Sequence, residues 1–406
     1  MHLHWFVLSS ALLATSVLAA EPAADPSSEP SSEPSPGPFP GPIPGSSAEA
    51  KKPSRIRGDD GWLDISGFLD ETYGFVPLAI PITEPAVGYG AVGAMAFIDK
   101  QKDDGTTAAG FGRPNISVVA ALGTDNGTKG AFAGDVRHWM DDRVRTVVGL
   151  VRASVNLNFY GIGHDAALQD DPQTYNLTTS ALVAQGRYRI GNSPAWIGIG
   201  YAVASTNVDF NTQEESRLPP GFQRESRVAG LLPILNYDSR DNMFTPTKGT
   251  YLELSAGLFS KALGSDSNFK RVNLTAMQYE PLSRNLTLGV MGSSVLSFGD
   301  VPFYLRPFIS LRGVPAMRYQ GQYTAQAEAE VRWQFWERFS LVGFAGAGAT
   351  RNGDSRNRAT QSVTTGGIGF RYEIARKYGM HMGLDVAQGP NGTVYYVQFG
   401  SAWNRP

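Results

Sequence analysis

Apolar and polar residues alternate with a period of two through most of the chain beyond about residue 75. The clearest case is the segment 322–338, QYTAQAEAEVRWQFWER, in which the odd positions from 323 to 335 are apolar and the even positions are polar. The segments 144–160 and 380–386 alternate in the same way. Because successive side chains of a β-strand point to opposite faces, each segment predicts a strand with one apolar and one polar face.

The alternating segments are longer than the strands of a soluble β-sandwich, which usually have about five or six residues. Strands of about nine to eleven residues or more fit a tilted passage through a membrane. The pattern therefore predicts an all-β fold, a transmembrane antiparallel β-barrel. We place about sixteen strands at residues 75–82, 86–98, 114–123, 127–140, 143–161, 174–190, 195–210, 227–239, 248–261, 268–282, 285–300, 322–338, 340–351, 362–375, 379–389 and 393–403.

The connections between these segments alternate between short turns and long loops. The short turns lie at 140–143, 191–194, 282–285 and 336–339, and the long loops at 161–173, 211–226, 300–321 and 351–361. Outer-membrane barrels have short periplasmic turns and long external loops, so this alternation favours such a barrel. The connection 99–113 breaks the rule, because it is long where a short turn is due. No later apolar run reaches the roughly eighteen residues of a transmembrane helix, which excludes a helical membrane protein.

The residues before the barrel predict export and a linker. Residues 1–20 contain the apolar run WFVLSSALLATSVLAA, which ends in small residues and predicts a signal peptide, with a retained anchor as the alternative. Residues 21–60 are rich in Pro, Ser, Glu and Gly and predict a disordered linker. Residues 61–74 predict a periplasmic entry segment with a possible short helix, and the barrel occupies 75–403.

Charge and composition exclude several function classes. The chain has 35 basic and 37 acidic residues and no Lys/Arg block of the kind that follows a nucleic-acid backbone, so nucleic acid is not an expected partner. Cysteine is absent, which excludes disulfides, thiolate metal sites and cysteine nucleophiles. No carboxylate pair, phosphate-binding loop or metal-ligand spacing stands out, and we expect neither a cofactor, a metal nor an enzymatic activity.

Several motifs, in this order, resemble the barrel of the bacterial surface antigen superfamily, the BamA/TamA family. They are NYDSRDNMFTPTKGTYLEL (236–254), SLRGVPAMRYQG (310–321), the E-x-R of Glu330 and Arg332, GGIGFRYE (366–373), GLDVAQGP (383–390) and VYYVQFGSAW (394–403). The resemblance covers roughly residues 75–403. Because only about fifty residues separate the signal from the barrel, no POTRA domain fits, and the chain resembles the POTRA-less branch.

The resemblance implies a sixteen-stranded barrel in the outer membrane of a Gram-negative bacterium, with both termini in the periplasm. It implies that the sixth external loop folds back into the lumen and carries an Arg-Gly motif, here Arg312 and Gly313. Its implied role is outer-membrane biogenesis, the insertion or translocation of protein or lipid. The implied partners are outer-membrane lipid, the barrel assembly machinery that inserts the chain itself, and a protein or lipid substrate.

An arginine in a partly desolvated lumen needs a carboxylate partner. Relatives often carry this acid on the strand that reads FAGAG (344–348) here, so the partner must lie elsewhere. Four carboxylates on strands near the loop are candidates: Glu328, Glu330, Glu373 and Asp385. Our hypothesis is that Arg312 pairs with Glu330 or Asp385 and acts as a structural latch, and the alternative is a solvated loop arginine.

The first and last strands predict a weak seam. Pro77 and Pro81 are four residues apart, so both missing N–H donors lie on the same edge of the first strand. Gly400 in the last strand weakens the same seam, and a weak seam is a physical basis for a lateral opening towards lipid. The alternative is that residues 75–82 are an entry segment and not a strand.

Two other function classes remain open. An outer-membrane hydrolase could use His164, which neighbours Asp165 on a predicted external loop, but no serine nucleophile motif accompanies it. His381 is expected near Asp385, where a structural hydrogen bond is the default. A passive porin agrees with polar inner faces, although an inward-folded loop predicts a plugged channel.

Overall fold

The computed structural model describes residues 56–67, 74–99, 115–162, 166–212, 218–219, 222–353 and 360–403. Several predictions fall outside these residues. They are the signal peptide, most of the linker, nearly all of the 99–113 connection, the second half of the possible entry helix and the His164–Asp165 pair.

The described residues form an almost entirely β structure with seventeen strands. In chain order they are β1 Gly74–Glu84, β2 Gly88–Asp99, β3 Asn115–Thr124, β4 Lys129–Trp139, β5 Val144–Phe159, β6 Gln173–Arg189, β7 Ala195–Phe210, β8 Glu225–Leu231, β9 Ile234–Asp238, β10 Gly249–Phe259, β11 Phe269–Ser283, β12 Leu286–Gly299, β13 Tyr323–Trp336, β14 Phe339–Arg351, β15 Thr360–Ala375, β16 Met380–Gly389 and β17 Gly392–Phe399. A short helix, α1, spans Ala166–Asp170, and 3₁₀ turns span Lys261–Leu263, Phe303–Leu305 and Arg376–Tyr378.

All strands belong to one antiparallel sheet in which most strands pair with their neighbours along the chain. β8 and β9 are two parts of one strand position, because β7 and β10 each pair with both of them. The break falls at Leu232 and Pro233, where proline cannot donate a ladder hydrogen bond. Leu232 instead exchanges hydrogen bonds of 2.8 and 3.0 Å with the backbone of Gly200. The predicted all-β antiparallel fold of about sixteen strands is confirmed, and the single segment predicted at 227–239 is two strands.

The antiparallel order sorts the connections onto two ends of the sheet. The end that carries the turns near residues 140–143, 284–285, 337–338 and 376–379 is here called the tight-turn end. The opposite end, here called the long-loop end, carries the connections around 160–172, 211–224, 300–322 and 352–359.

The two faces of β13 follow the alternation in the sequence. Val331 and Trp333 are exposed on its outer face, whereas Thr324 and Glu328 are buried on its inner face. Exposed apolar side chains recur on the outer faces of β5, β10 and β16, for example at Leu150, Leu252 and Leu384. An apolar outer band of this kind is typical of barrels that face lipid.

The inner face of β5 corrects the expectation of a uniformly polar interior. Its odd positions from Val151 to Phe159 are apolar and buried, and they belong to a cluster that includes Phe303 and Tyr304 of the long loop. The polar residues Arg152 and Ser154 point to the other face. Alternation shows only that the faces differ, and the aromatic residues of the loop decide which face is inside.

The aromatic residues at strand ends also divide between the two faces. Trp139 and Trp336 are exposed, as an interfacial aromatic girdle requires. Trp196, Tyr251 and Trp403 also lie near strand ends but are buried instead. Trp196 and Tyr251 occupy inward positions of β7 and β10, and Trp403 lies beyond the end of β17.

Candidate functional site

The connection between β12 and β13, residues 300–322, is here called the Arg312 loop. Its backbone closes on itself, with the Ile309 N–H donating to the Tyr319 carbonyl at 3.1 Å and the Gly321 N–H to the Pro307 carbonyl at 2.9 Å. Ile309, Leu311 and Val314 are buried in a cluster with Val363 of β15. The loop is therefore packed against the buried face of the sheet.

Gly313 lies where the loop meets β16 and β17. Its φ of 90° is in the left-handed region that favours glycine. Its N–H donates to the Tyr396 hydroxyl at 2.9 Å. A Cβ built on Gly389 would lie 1.9 Å from the Gly313 carbonyl oxygen, so the two backbones approach too closely for any side chain at residue 389.

The guanidinium of Arg312 contacts three carboxylates. Nε and Nη2 donate to Glu328 Oε1 at 3.0 and 2.7 Å, and Nη1 donates to Asp385 Oδ2 at 2.8 Å. Nη2 also lies 2.8 Å from Glu330 Oε2, an ion pair without hydrogen-bond alignment. The side chains of Arg312, Glu328 and Asp385 are only 7%, 1% and 0% exposed. The structure thus brings together three of the four predicted candidates around Arg312.

Glu373 is not part of this group. It lies near the tight-turn end of β15, and its Oε2 is 3.7 Å from Arg376 Nε. Asp385 pairs in register with Gly369, four residues along β15 from Glu373. At about 3.3 Å per residue, this separation is too long for both acids to reach one guanidinium directly. The candidate partner Glu373 is therefore wrong as a contact of Arg312.

Two further residues complete the charge cluster, and the sequence reasoning missed both. Arg371 of β15 donates to Asp385 Oδ2 at 2.9 Å and is itself buried. Phe344 of the FAGAG strand places its ring centre 3.5 Å from the Arg312 guanidinium carbon, a cation–π contact. Alternation could have identified Arg371. Its odd residue number places it on the same face of β15 as Gly369, and Gly369 pairs with Asp385 of β16.

Residues 400–403, which follow β17, enter the same cluster. β17 ends at Phe399, and Gly400 has a φ of 72° and donates to the His381 carbonyl at 2.7 Å. The indole Nε1 of the buried Trp403 then donates to Glu328 Oε1 at 2.6 Å. The prediction that Gly400 lies within the last strand is wrong, because its left-handed backbone directs the chain away from the ladder.

The first and last strands meet at a seam. β1 pairs with β2, and β17 pairs with β16. No ladder between β1 and β17 is found in the described residues. The backbone N–H of Val397 donates to Thr83 Oγ1 at 3.1 Å. With antiparallel strands, this contact places Pro81 level with the end of β17 and Pro77 beyond it. The segment 75–82 is part of strand β1, so the alternative of a non-strand entry segment is wrong.

Family and structural comparisons identify the barrel. Residues 115–405 match the Omp85 superfamily domain. This chain belongs to the Omp85 superfamily. The predicted resemblance to a BamA/TamA-like barrel is thereby confirmed, and Omp85 barrels are outer-membrane proteins. No curated protein sequence matches the chain.

Three solved structures have the same fold as this Omp85 protein. BamA from Haemophilus ducreyi lacking POTRA domains 1–3 is 13% identical, with a TM-score of 0.54 over 85% of this chain and 79% of that one. CdiB from Acinetobacter baumannii is 9% identical, with a TM-score of 0.52 over 80% of this chain. CdiB from Escherichia coli is also 9% identical, with a TM-score of 0.55 over 81% of this chain. This chain spans 60% and 62% of the two CdiB chains.

In the described ranges, no group of three or more His, Asp or Glu side chains is arranged to hold a metal ion. Within the same part of the chain, no helix has the length and apolarity needed to cross a membrane.

The hydrogen bond from Trp403 predicts a measurable contribution to stability. We expect Trp403→Phe to lower the free energy of unfolding by about 1.5–3 kcal/mol, because a ring remains to pack while a charged acceptor loses its donor. Denaturant unfolding of the barrel in lipid vesicles measures the change. Trp333→Phe, at an exposed position of β13, is the control and should change stability little. Equal stability of the two variants would contradict a role for the indole N–H.

Proposed function

We propose that this Omp85 barrel inserts or translocates a protein or lipid substrate at the outer membrane, through lateral opening of the seam between β1 and β17. The Arg312 cluster holds the Arg312 loop inside the barrel while the seam parts. The observation that carries the proposal is that no strand ladder between β1 and β17 is found in the described residues, where the Val397 N–H donates to Thr83 Oγ1.

We infer that the seam requires less free energy to open than the neighbouring β16–β17 junction, because no strand ladder joins β1 to β17 in the described residues. Each ladder hydrogen bond contributes about 0.5–1.5 kcal/mol net. Neighbouring junctions such as β16–β17 pair from Met382 and Phe399 to Gly389 and Gly392. Parting such a junction breaks the bonds of a whole ladder together, whereas no ladder has to break between β1 and β17 in the described part of the chain.

The strand beside the seam favours an apolar substrate segment. Val92, Ala94 and Ala96 of β2 are buried on the inner face, while Met95 and Phe97 are exposed on the outer face. β2 is therefore apolar on both faces, unlike β13. A chain or lipid tail that crosses between lipid and interior here meets the apolar side chains of Val92, Ala94 and Ala96, which lowers the desolvation cost of passage.

The barrel has a defined orientation in the membrane, and the segments before it have a defined order. The tight-turn end faces the periplasm, with both termini on that side, and the long-loop end faces outwards. Residues 1–20 act as the signal peptide, 21–60 as the linker and 61–74 as the entry segment to the barrel of 75–403. The partners are outer-membrane lipid, a protein or lipid substrate, and the assembly machinery that inserts the chain.

The test is a disulfide across the seam. The chain has no cysteine, so Thr83→Cys with Val397→Cys introduces one defined pair. We expect the oxidised pair to reproduce the defect of a gene deletion in outer-membrane protein levels and lipid asymmetry, and reductant to restore function. The control joins Leu384→Cys to Val397→Cys across the β16–β17 register and should leave function intact. Full function with a completely oxidised seam would refute lateral opening.

The second candidate is a passive porin-like channel, and the packing of the Arg312 loop supports the first candidate over it. The buried Arg312 loop occupies interior space that a porin leaves to water. Single-channel conductance in planar bilayers separates the two functions. A large steady conductance of the unmodified barrel would favour the porin.

A further inference from the structure

Residues 56–66, here called the strap, form a small hairpin before the barrel. The Asp64 N–H donates to the Ile56 carbonyl at 3.1 Å and the Gly58 N–H to the Trp62 carbonyl at 3.0 Å. An antiparallel bridge joins Arg57 to Leu63. The strap therefore has its own backbone structure, in a region that the sequence assigned to a linker and an entry segment.

The strap is docked on the tight-turn end by backbone hydrogen bonds. The Ile65 N–H donates to the Ile374 carbonyl of β15 at 2.9 Å. The Tyr372 hydroxyl donates to the Leu63 carbonyl at 2.6 Å. These bonds fix the strap to the last residues of β15 in a defined register.

Aromatic contacts and one hydroxyl extend the docked surface. The Trp62 ring lies edge-on to Trp336 at 5.7 Å and to Phe339 at 5.3 Å between centroids. Such edge-to-face pairs are favourable beyond the area they bury. The Lys377 N–H donates to the hydroxyl of the buried Ser66 at 3.2 Å. The strap thus touches the β13–β14 turn as well as the end of β15.

A buried arginine forms the centre of this interface. Arg338, in the β13–β14 turn, has a side chain only 1% exposed. Its Nη2 lies 2.9 Å from Asp64 Oδ2, its Nε donates to Asp60, and its Nη1 donates to the Glu373 carbonyl at 3.1 Å. Asp60 Oδ2 also lies 3.3 Å from Arg376 Nη1. Apart from the Glu373 carbonyl, the acceptors that compensate this buried cation come from the strap.

The pKa values of Asp60 and Asp64 agree with these contacts. The hydrogen bond from Arg338 lowers the pKa of Asp60 below its ordinary value. Burial raises the pKa of Asp64, but hydrogen bonds from Ser66 and Arg338 outweigh burial and lower it overall. Both carboxylates are therefore charged at neutral pH and available to Arg338.

The chain connects this docking site to the opposite side of the seam. The strap contacts the β13–β14 turn and β15, on the C-terminal side, whereas the chain continues into β1 at Gly74. Eight Cα steps separate Ser66 from Gly74, and they can extend at most about 29 Å. A docked strap therefore limits how far the lower part of β1 can move from β15.

We propose that the strap ties the two sides of the seam together at the tight-turn end, so that the seam opens fully only when the strap leaves Arg338. This inference rests on the proposed lateral opening. The strap acts where β1, although paired with β2 on one side, has no β17 residue beside it on the other, since Pro77 lies beyond the end of β17. It supplies the connection that a strand ladder supplies elsewhere.

The first experiment measures docking alone. Ser66→Cys introduces the only thiol of the chain at a buried strap position, and a maleimide reports its accessibility. We expect labelling to accelerate by about tenfold or more in Arg338→Gln and in the Asp60→Asn, Asp64→Asn double variant, because each breaks the buried ion pairs. The double variant leaves every barrel residue intact. Asp59→Asn, which removes one carboxylate charge at an exposed neighbouring position, is the control and should not change the rate.

The second experiment measures the seam in the same backgrounds. We expect the Thr83→Cys, Val397→Cys pair to oxidise several-fold more slowly when Asp60 and Asp64 are replaced, and at the unchanged rate with Asp59→Asn. Unchanged thiol labelling in the first experiment, or unchanged seam oxidation after undocking, overturns the strap proposal and leaves lateral opening standing. If the oxidised seam retains full function, lateral opening itself fails, whatever the strap does.

Discussion

Replacing Arg312 with alanine is expected to lower the free energy of unfolding of the barrel by about 3–5 kcal/mol. The substitution removes the cation that faces Glu328, Glu330 and Asp385. Asp385 keeps its ion pair with Arg371, whereas Glu328 and Glu330 lose their arginine in a buried site. Removing one member of a buried ion pair costs more than the pair contributes, because the desolvation penalty of the remaining charge persists. Denaturant unfolding in vesicles, or the temperature at which the folded band is lost in a gel, measures the effect.

The matched control for this variant is Arg318→Ala in the same loop. Arg318 lies over the Tyr160 ring at 4.8 Å, and no carboxylate contact with it is found in the described residues. Its removal should cost much less than the removal of Arg312. Replacing Glu328 with glutamine in the Arg312→Ala background should recover part of the lost stability, because it neutralises a stranded charge. An Arg312→Ala barrel as stable as the unmodified protein would show that the cluster does not hold the loop.

Replacing Gly389 with valine is expected to displace the Arg312 loop from β16 and raise the conductance of the barrel several-fold. The first added carbon would lie 1.9 Å from the Gly313 carbonyl oxygen, a backbone atom that cannot move alone. Overpacking of this kind costs about 1–3 kcal/mol or more, and withdrawal of the loop relieves it. Single-channel recording in planar bilayers measures the opening.

The control for this variant is Gly343→Val on β14. A Cβ at Gly343 meets nothing within 4 Å, so the same change in side chain should leave conductance and stability near those of the unmodified protein. Unaltered conductance in a folded Gly389→Val barrel would mean that the close approach of Gly313 and Gly389 does not set the position of the loop.

The alternation of apolar and polar residues predicted most of the site. It placed Glu328 and Glu330 on the inner face of β13 and Asp385 on that of β16, which left few acids within reach of Arg312. It could not exclude Glu373, whose side chain also points inward. The distance between Glu373 and Arg312 depends on where the loop contacts the sheet, and alternation does not give that position. The contribution of Phe344 was also hidden, since a cation–π contact leaves no pattern in the spacing of residues.

Other features depended on backbone conformation that alternation does not encode. Pro233 interrupts a segment that otherwise continues as a strand, and only the lost N–H marks the break between β8 and β9. Gly400 adopts a left-handed conformation, so the pattern that extended the last strand to residue 403 concealed the contact of Trp403 with Glu328. The strap was overlooked because its acids compensate an arginine nearly three hundred residues away.

One carboxylate oxygen, Glu328 Oε1, receives hydrogen bonds from both Arg312 and Trp403. The Arg312 loop and the segment that follows β17 therefore share one acceptor, although they lie about ninety residues apart in the sequence. A displacement of either segment removes donors from this oxygen and weakens the hydrogen bonding that holds the other. The shared oxygen thus couples the position of the loop to the position of the residues beyond β17.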